Sequence, residues 1–287
     1  MKRINRYGVR SLERDFPNNE SCLNFIFNTL HKPVCSCGGK YRLLTGYKKY
    51  QCSKCRFRIS PTAGTIFHKS DTPLSLWFKA ILVFSNAKSG ISAKELERQL
   101  EVTYKCAYRI LKQIRSALKQ STDKLEGEVE MDSAYFGGRA YGGKDNKYQK
   151  QAMATKTVVM GAVERNGRIR ALVVPNATAE THGKFLNENV VTESRLLTDG
   201  TNRLDKVAID YKRESVNHRD KEYVRDDVHV NNIETFWSHV KSSIRGTYKV
   251  ISKEQFQTYL DAFVFHYNNR YSDKARFEAL LGTLLHA

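Results

Sequence analysis

Apolar residues recur at helical spacing in one stretch of the chain and alternate with polar ones in another. The change of period divides the sequence. From Leu74 to Leu118 the period is close to that of an α-helix. Leu74, Trp77, Phe78, Ile81 and Leu82 fall on one face after Thr72-Pro73, a cap residue and a proline suited to a helix start. Ser92 and Glu95 form a capping-box pattern ahead of a short second helix over 92–100. A third helix, over 103–118, carries Tyr104, Ala107, Ile110, Leu111, Ile114 and Leu118 on one face. Its other face carries Lys105, Arg109, Lys112 and Arg115. A short helix, a brief turn and a longer basic helix match a helix-turn-helix that reads the major groove. A plain three-helix bundle shares these periods.

Beyond residue 125 the period shortens to two. Glu128-Val129-Glu130-Met131-Asp132 alternates as a strand does. Segments 156–163 and 169–174 flank Arg165-Asn166-Gly167, a hairpin signal. Between the first two strands lies a Gly/Lys-rich stretch, 137–151, read as a surface loop or a DNA-backbone contact. It is not a P-loop, because Gly143-Lys144 is followed by Asp145. A helix over 178–190 and a short strand from Arg195 to Asp199-Gly200 follow, then further helices. Three strands, a helix, a strand and helices imply an α/β layer with a mixed sheet.

Charge sharpens this division. Residues 1–124 hold 24 Lys/Arg against 8 Asp/Glu, and residues 125–287 hold 24 against 22. A strongly basic front beside a nearly neutral back points to a polyanion partner, most often nucleic acid. No apolar run approaches the length of a membrane span, and no signal-peptide core follows the basic first residues. Cytoplasmic residence is expected. In that reducing compartment Cys35, Cys37, Cys52 and Cys55 read as ligands of one zinc ion rather than as disulfides. Fourteen residues separate the two pairs, room for a small basic ribbon over 31–60. The C-x-C spacing of Cys35 and Cys37 is tighter than usual, so His31 or Cys22 is an alternative to Cys35.

Two aspartates, Asp132 and Asp199, stand on strands, and a helix over 229–245 offers a third acid. Ile233, Phe236, Trp237, Val240 and Ile244 form its apolar stripe, and Glu234, Ser238, Lys241 and Arg245 form a polar stripe beside it. Glu234 suits a metal ligand and Lys241, two turns on, a phosphate grip. Equally, Asn231 and Glu234 have the spacing of a capping box. His182, His239 and His266 have no partner spacing and read as structural or surface groups. Cys22 and Cys106 read as buried apolar residues, and Trp237 as core.

These pieces together resemble the zinc-ribbon DDE transposases of bacterial insertion sequences, the ISXO-like group. The likeness is carried, in order, by Cys52-Ser53-Lys54-Cys55, the Gly64–His68 segment with Thr72-Pro73-Leu74 and Trp77-Phe78, and Glu130-Met131-Asp132 with Tyr135-Phe136-Gly137-Gly138. It continues through Thr198-Asp199-Gly200, His229-Val230-Asn231, Phe236-Trp237-Ser238, Lys241, Arg245-Gly246 and Tyr248, and closes on Tyr267-Asn268-Asn269-Arg270. The resemblance implies a zinc ribbon within residues 1–60, a helix-turn-helix over 61–122, and a catalytic domain over 125–287 with the RNase H-like fold of retroviral integrases. It implies two Mg²⁺ or Mn²⁺ ions held by Asp132, Asp199 and Glu234, with Asn231 the alternative or additional third residue and Lys241 on a phosphate. Lys105, Arg109, Lys112, Arg115 and Arg245 are the expected DNA contacts. Implied too are cleavage at the terminal inverted repeats, joining of the freed 3′-OH to target DNA, and a dimer or higher oligomer on nucleoid DNA. A catalytically silent DNA-binding relic and a nuclease without strand transfer are the alternatives.

Overall fold

A computed structural model describes residues 6–44, 46–137, 156–200, 202–216, 222 and 224–286. The Gly/Lys-rich stretch, from residue 138 on, lies outside them. Helix α1 is Val9–Asp15 and α2 is Asn19–Leu30, the latter started by a capping box of Asn18 and Ser21. Strands β1 (Tyr41–Leu43), β2 (Tyr50–Cys52) and β3 (Arg58–Ile59) form a small antiparallel ribbon. Helices α3 (Leu74–Asn86), α4 (Ala93–Leu100) and α5 (Tyr104–Ala117) begin where the pattern places them. Ser92 and Thr103 accept N–H bonds from Glu95 and Cys106, so each cap is made by its own side chain. Glu101, in the left-handed conformation, turns the chain between α4 and α5.

Then come β4 (Glu128–Phe136), β5 (Thr157–Glu164), β6 (Ile169–Val174), α6 (Ala179–Asn189), β7 (Arg195–Asp199) and β8 (Lys212–Val216). Helices α7 (Asn231–Ser243), α8 (Phe256–Asn268) and α9 (Asp273–Leu285) complete the chain, with a π-helical turn, Ile244–Tyr248, after α7. The fold class is a mixture of helices and strands around a five-stranded mixed sheet, as the change of period predicts.

The chain divides into two compact units, residues 1–118 with 269–287 and residues 119–268. The expectation of a back module running to 287 places the last helix with the sheet. Instead α9 packs on α3, because its Phe277, Leu280, Leu281 and Leu284 are buried. Its Arg276 is buried as well and donates to the Ser85 carbonyl at 2.5 Å and to Asp273 at 2.6 Å. A guanidinium on the Ser85 carbonyl, in the last turn of α3, satisfies an acceptor that the helix itself leaves open.

In the second unit the strand order is β6-β5-β4-β7-β8. β6, β5 and β4 are antiparallel neighbours, and β4-β7 and β7-β8 are parallel. Alternation along β4 sends its residues to two layers. Val129 and Met131 join α6, with Phe185 and Leu186, on one face. Ala134 and Phe136 join Ile233, Trp237 and Val240 of α7 and Leu260 and Phe263 of α8 on the other. Asp132 has the parity of the second face and lies opposite Gly161 in register. A Cβ on Gly161 would meet the Trp237 ring at 2.6 Å and Ile233 at 3.1 Å, so glycine is what lets α7 approach the sheet. Gly161→Ala is expected to lower the stability of this unit by about 1–3 kcal/mol, read as a fall in denaturant midpoint. An unchanged midpoint would show that α7 can shift without cost.

Strand β8 is not expected from the sequence. Its Lys212-Arg213-Glu214-Ser215-Val216 lacks an apolar run because it is the sheet's edge, with only Val216 buried. Helices α1 and α2 are also unassigned by the pattern. Among the described residues no helix is long and apolar enough to cross a membrane.

Candidate functional site

In the first unit the ribbon brings four thiols together. The Sγ atoms of Cys35, Cys37, Cys52 and Cys55 all lie within 4.8 Å of one another. Cys37 and Cys52 are 3.4 Å apart, and Cys35 and Cys55 are 3.7 Å apart. Four sulfurs around one zinc ion, each about 2.3 Å from it, would stand about 3.8 Å apart, so the set fits. A turn closed by the Gly38 N–H on the Cys35 carbonyl brings the close-spaced first pair to the second. Gly39 is required, since its Cβ would meet Cys52 Sγ at 2.5 Å. The Tyr41 hydroxyl beside Cys35 draws that thiol's pKa down to about 6, toward the thiolate that binds metal. His31 and Cys22 stand outside the cluster. These four cysteines could hold a structural ion such as zinc.

The expected basic face of α5 divides. Lys105 and Lys112 are exposed. Arg109 donates to Thr72 Oγ1 at 2.7 Å with its guanidinium over the Trp77 ring, and Arg115 is 5% exposed. Both arginines are thus committed to the unit's own packing. Tyr104 and Tyr108 stand exposed beside the lysines, their rings stacked.

In the second unit β7 carries Asp199 alongside β4. The last paired positions of the two parallel strands are Met131 and Thr198, so Asp132 and Asp199 are the next residues on each. Both line a cavity of about 400 Å³ together with Ser133, Tyr135, His182 and Arg203. Burial, and then the Asp199 charge, push the Asp132 pKa up to about 6, with Glu234 adding repulsion and Lys241 opposing it. So the structure gathers Asp132, Asp199, Glu234 and Lys241 into one electrostatic neighbourhood. Asn231 and Glu234 are both exposed at the start of α7. The acids are not as close as the thiols. Among the described residues only the cysteines bring three ligand atoms within 4.8 Å of one another.

Tyr135 also borders a second cleft, of about 880 Å³, whose walls include Phe136, Lys241, Arg245, Lys249 and Phe256. The Lys241 ammonium lies 5.8 Å from the centre of the Phe136 ring. An acidic cavity and a cationic cleft therefore adjoin along one strand. That pairing suits a phosphodiester chain, whose backbone needs cations and whose reacting phosphorus needs a metal-binding oxygen cluster.

The capping box expected of Asn231 and Glu234 is not made. Val230 is the N-cap and supplies no side-chain acceptor. Glu130 of β4, fully buried, accepts the N–H groups of Asn232 at 2.8 Å and Ile233 at 3.2 Å instead. No local spacing signals this, because the two partners lie about a hundred residues apart. His182, read as structural, is a wall of the acidic cavity, with Nδ1 2.8 Å from the Thr178 carbonyl. Its pKa is lowered by burial.

Comparison with known proteins places this arrangement. The sequence profile of the ISXO2-like transposase domain matches residues 124–268, nearly the whole of the second unit. A protein of Halobacterium salinarum, described as an uncharacterised protein in transposable element ISH50, is 29% identical over 238 residues, which cover 78% of this chain and 79% of that one.

Proposed function

The chain belongs to the ISXO2-like transposase family, and from that premise we propose that it moves an insertion sequence by DDE chemistry. The observation that carries this reading is the pair Asp132 and Asp199 on adjacent parallel strands, beside a cleft lined by Lys241, Arg245 and Lys249. The strand order β6-β5-β4-β7-β8, with helices packed on both faces and acids on the central strand β4 and its neighbour β7, supports an RNase H-like catalytic domain.

The oxygen-only donor set of Asp132, Asp199 and Glu234 fits Mg²⁺ or Mn²⁺, and burial followed by the Asp199 charge raises the Asp132 pKa, a site that a cation would favour. Two such ions, when bound, supply a nucleophile at neutral pH and offset charge on the attacking and leaving oxygens. Their ligands need not all converge on one point, which suits acids spread around Asp132. Lys241, Arg245 and Lys249 grip the backbone on either side of the scissile phosphate. By holding such ions, Asp132 and Asp199 would set the reacting phosphate against the attacking oxygen, water in the first step and the freed 3′-OH in the second. Tyr135 lies where the two cavities meet and shields the phosphate between them.

The first unit recognises the element ends. Its α4, the turn at Glu101 and α5 support a helix-turn-helix, and Lys105, Lys112, Tyr104 and Tyr108 make up the face that α5 offers to DNA. Lys105→Ala with Lys112→Ala is expected to reduce the steepness of the salt dependence of binding by about two. Arg115→Ala should lower the melting temperature instead. Fluorescence anisotropy at several salt concentrations checks the first and thermal unfolding the second; an unchanged slope in the double variant would remove α5 from the interface. Joining two ends calls for at least a dimer on DNA, and the partners are element-end and target duplexes, met in the cytoplasm.

The test of the reading is cleavage of duplexes carrying the element's terminal repeats. Nicks at the repeat boundary that require Mg²⁺ or Mn²⁺ and the two aspartates support it. Specific binding without nicking, by protein loaded with zinc and Mn²⁺, contradicts it.

A further inference from the structure

We infer that Glu130 is a positioning residue of the candidate active site, setting the place of Glu234 relative to Asp132. The inference rests on the two-metal reading above and adds to it a residue that touches neither metal nor DNA. Glu130 is two residues before Asp132 on β4, so both point to the same face of the sheet. Its side chain is wholly buried, an expensive place for a carboxylate unless every lone pair is engaged.

The partners come from three places. Oε2 accepts the N–H groups of Asn232 and Ile233, the second and third residues of α7. These are the donors that an N-cap side chain normally takes, and Val230 at that position has none to offer. Oε1 accepts from Asn232 Nδ2 at 2.7 Å and from Arg165 Nε at 3.3 Å, and lies 3.3 Å from His229 Nδ1. Arg165 in turn donates to the Asp227 carbonyl at 2.6 Å, holding the segment that leads into α7. The negative charge also sits where the helix dipole favours it.

The consequence is geometric. Glu234 follows the second capped amide by one residue, and its own N–H bonds the Val230 carbonyl at 3.1 Å. The strand that carries Asp132 therefore clamps the first turn of the helix that carries Glu234. A local capping box would hold α7 together without relating it to the sheet. A cap supplied by β4 does both.

Glu130→Gln keeps the shape but replaces one acceptor oxygen with a donor. Either the helix amides or the Asn232 and Arg165 donors then lose their partner. The measurement is Mn²⁺ binding to the full chain, followed by electron paramagnetic resonance without DNA. The variant should remain folded by circular dichroism and bind Mn²⁺ about tenfold or more weakly, as loss of a group supporting metal ligands does. On element-end duplexes its kcat should fall while its KM for DNA stays, since the cationic cleft is untouched. Val264→Ala, a core truncation in the same unit, should lower the melting temperature without moving the Mn²⁺ affinity. A folded Glu130→Gln with wild-type Mn²⁺ affinity overturns the inference. Should that variant not fold, Asn232→Ala decides, because it removes one donor and keeps the carboxylate: weaker Mn²⁺ binding supports the inference and unchanged binding overturns it. Asp132→Ala separates the two levels. If it binds Mn²⁺ like wild type, the metal reading itself fails, and the positioning role with it.

Discussion

Asp132→Ala and Asp199→Ala are each expected to slow cutting and joining by about a thousandfold or more, while leaving binding of the element ends intact. The size follows from what the two carboxylates do together. Each such loss corresponds to at least about 4 kcal/mol of transition-state stabilisation. Removing either takes away a carboxylate that would hold a divalent ion, and with it the positive charge that the reacting phosphate needs beside β4 or β7. End binding survives because the first unit and the cationic cleft, not the acids, hold the backbone. Glu234→Ala falls with them, and Asn231→Ala, which leaves all three charges in place, falls less. Gel-resolved cleavage and joining, measured beside anisotropy on the same duplexes, reads both quantities. Wild-type cleavage by either aspartate variant would end the assignment.

Removal of the zinc site has the second largest effect, on recognition rather than chemistry. The ribbon of β1, β2 and β3 holds strands of two or three residues each. So small a sheet buries little apolar surface, and an ion held by the four cysteines would supply folding energy. The purified protein should contain one zinc per chain by elemental analysis. Cys52→Ser should release it and weaken specific end binding on the order of a hundredfold, the equivalent of losing two contacts of about 1–3 kcal/mol each. Mn²⁺ binding by the second unit should not change. Full specific binding by a zinc-free variant would show that the ribbon does not take part in recognition.

Much of the fold is legible where local chemistry decides it. Helices α4 and α5 begin after Ser92 and Thr103 because cap and period agree there, whereas α3 begins after Pro73 with no side-chain cap, Thr72 accepting from Arg109 instead. The β5-β6 hairpin turns at Asn166, with φ of 60°, and at Gly167, where a Cβ would meet the Glu164 Cβ at 2.6 Å. The cysteine set is legible for the same reason: sulfur ligands close in sequence must be close in space.

What escapes is non-local. Strand β8 has no apolar signature because an edge strand needs little burial. Helix α9 packs on α3 rather than on the sheet, a choice made by Arg276 meeting Ser85, 191 residues away, and by Phe277 meeting Tyr7, still farther along the chain. The spacing of Asn231 and Glu234 suggests a local cap, yet the cap comes from Glu130 on another element. Arg109 and Arg115 share a helical stripe with Lys105 and Lys112, but Thr72, Trp77 and the interior claim the arginines. Periodicity reports which residues share a face, and only the packed neighbours determine which of them remain available to DNA.

The most direct test of the account uses the purified full chain with Mg²⁺ or Mn²⁺ and the DNA that natively flanks its gene. The 3′ ends and joined products are mapped beside Asp199→Ala. Cuts at inverted-repeat boundaries and 3′ ends joined to new DNA are expected, both lost in the variant. Tight, specific binding with no cut and no joined product, from protein shown to carry zinc and to bind Mn²⁺, would contradict it.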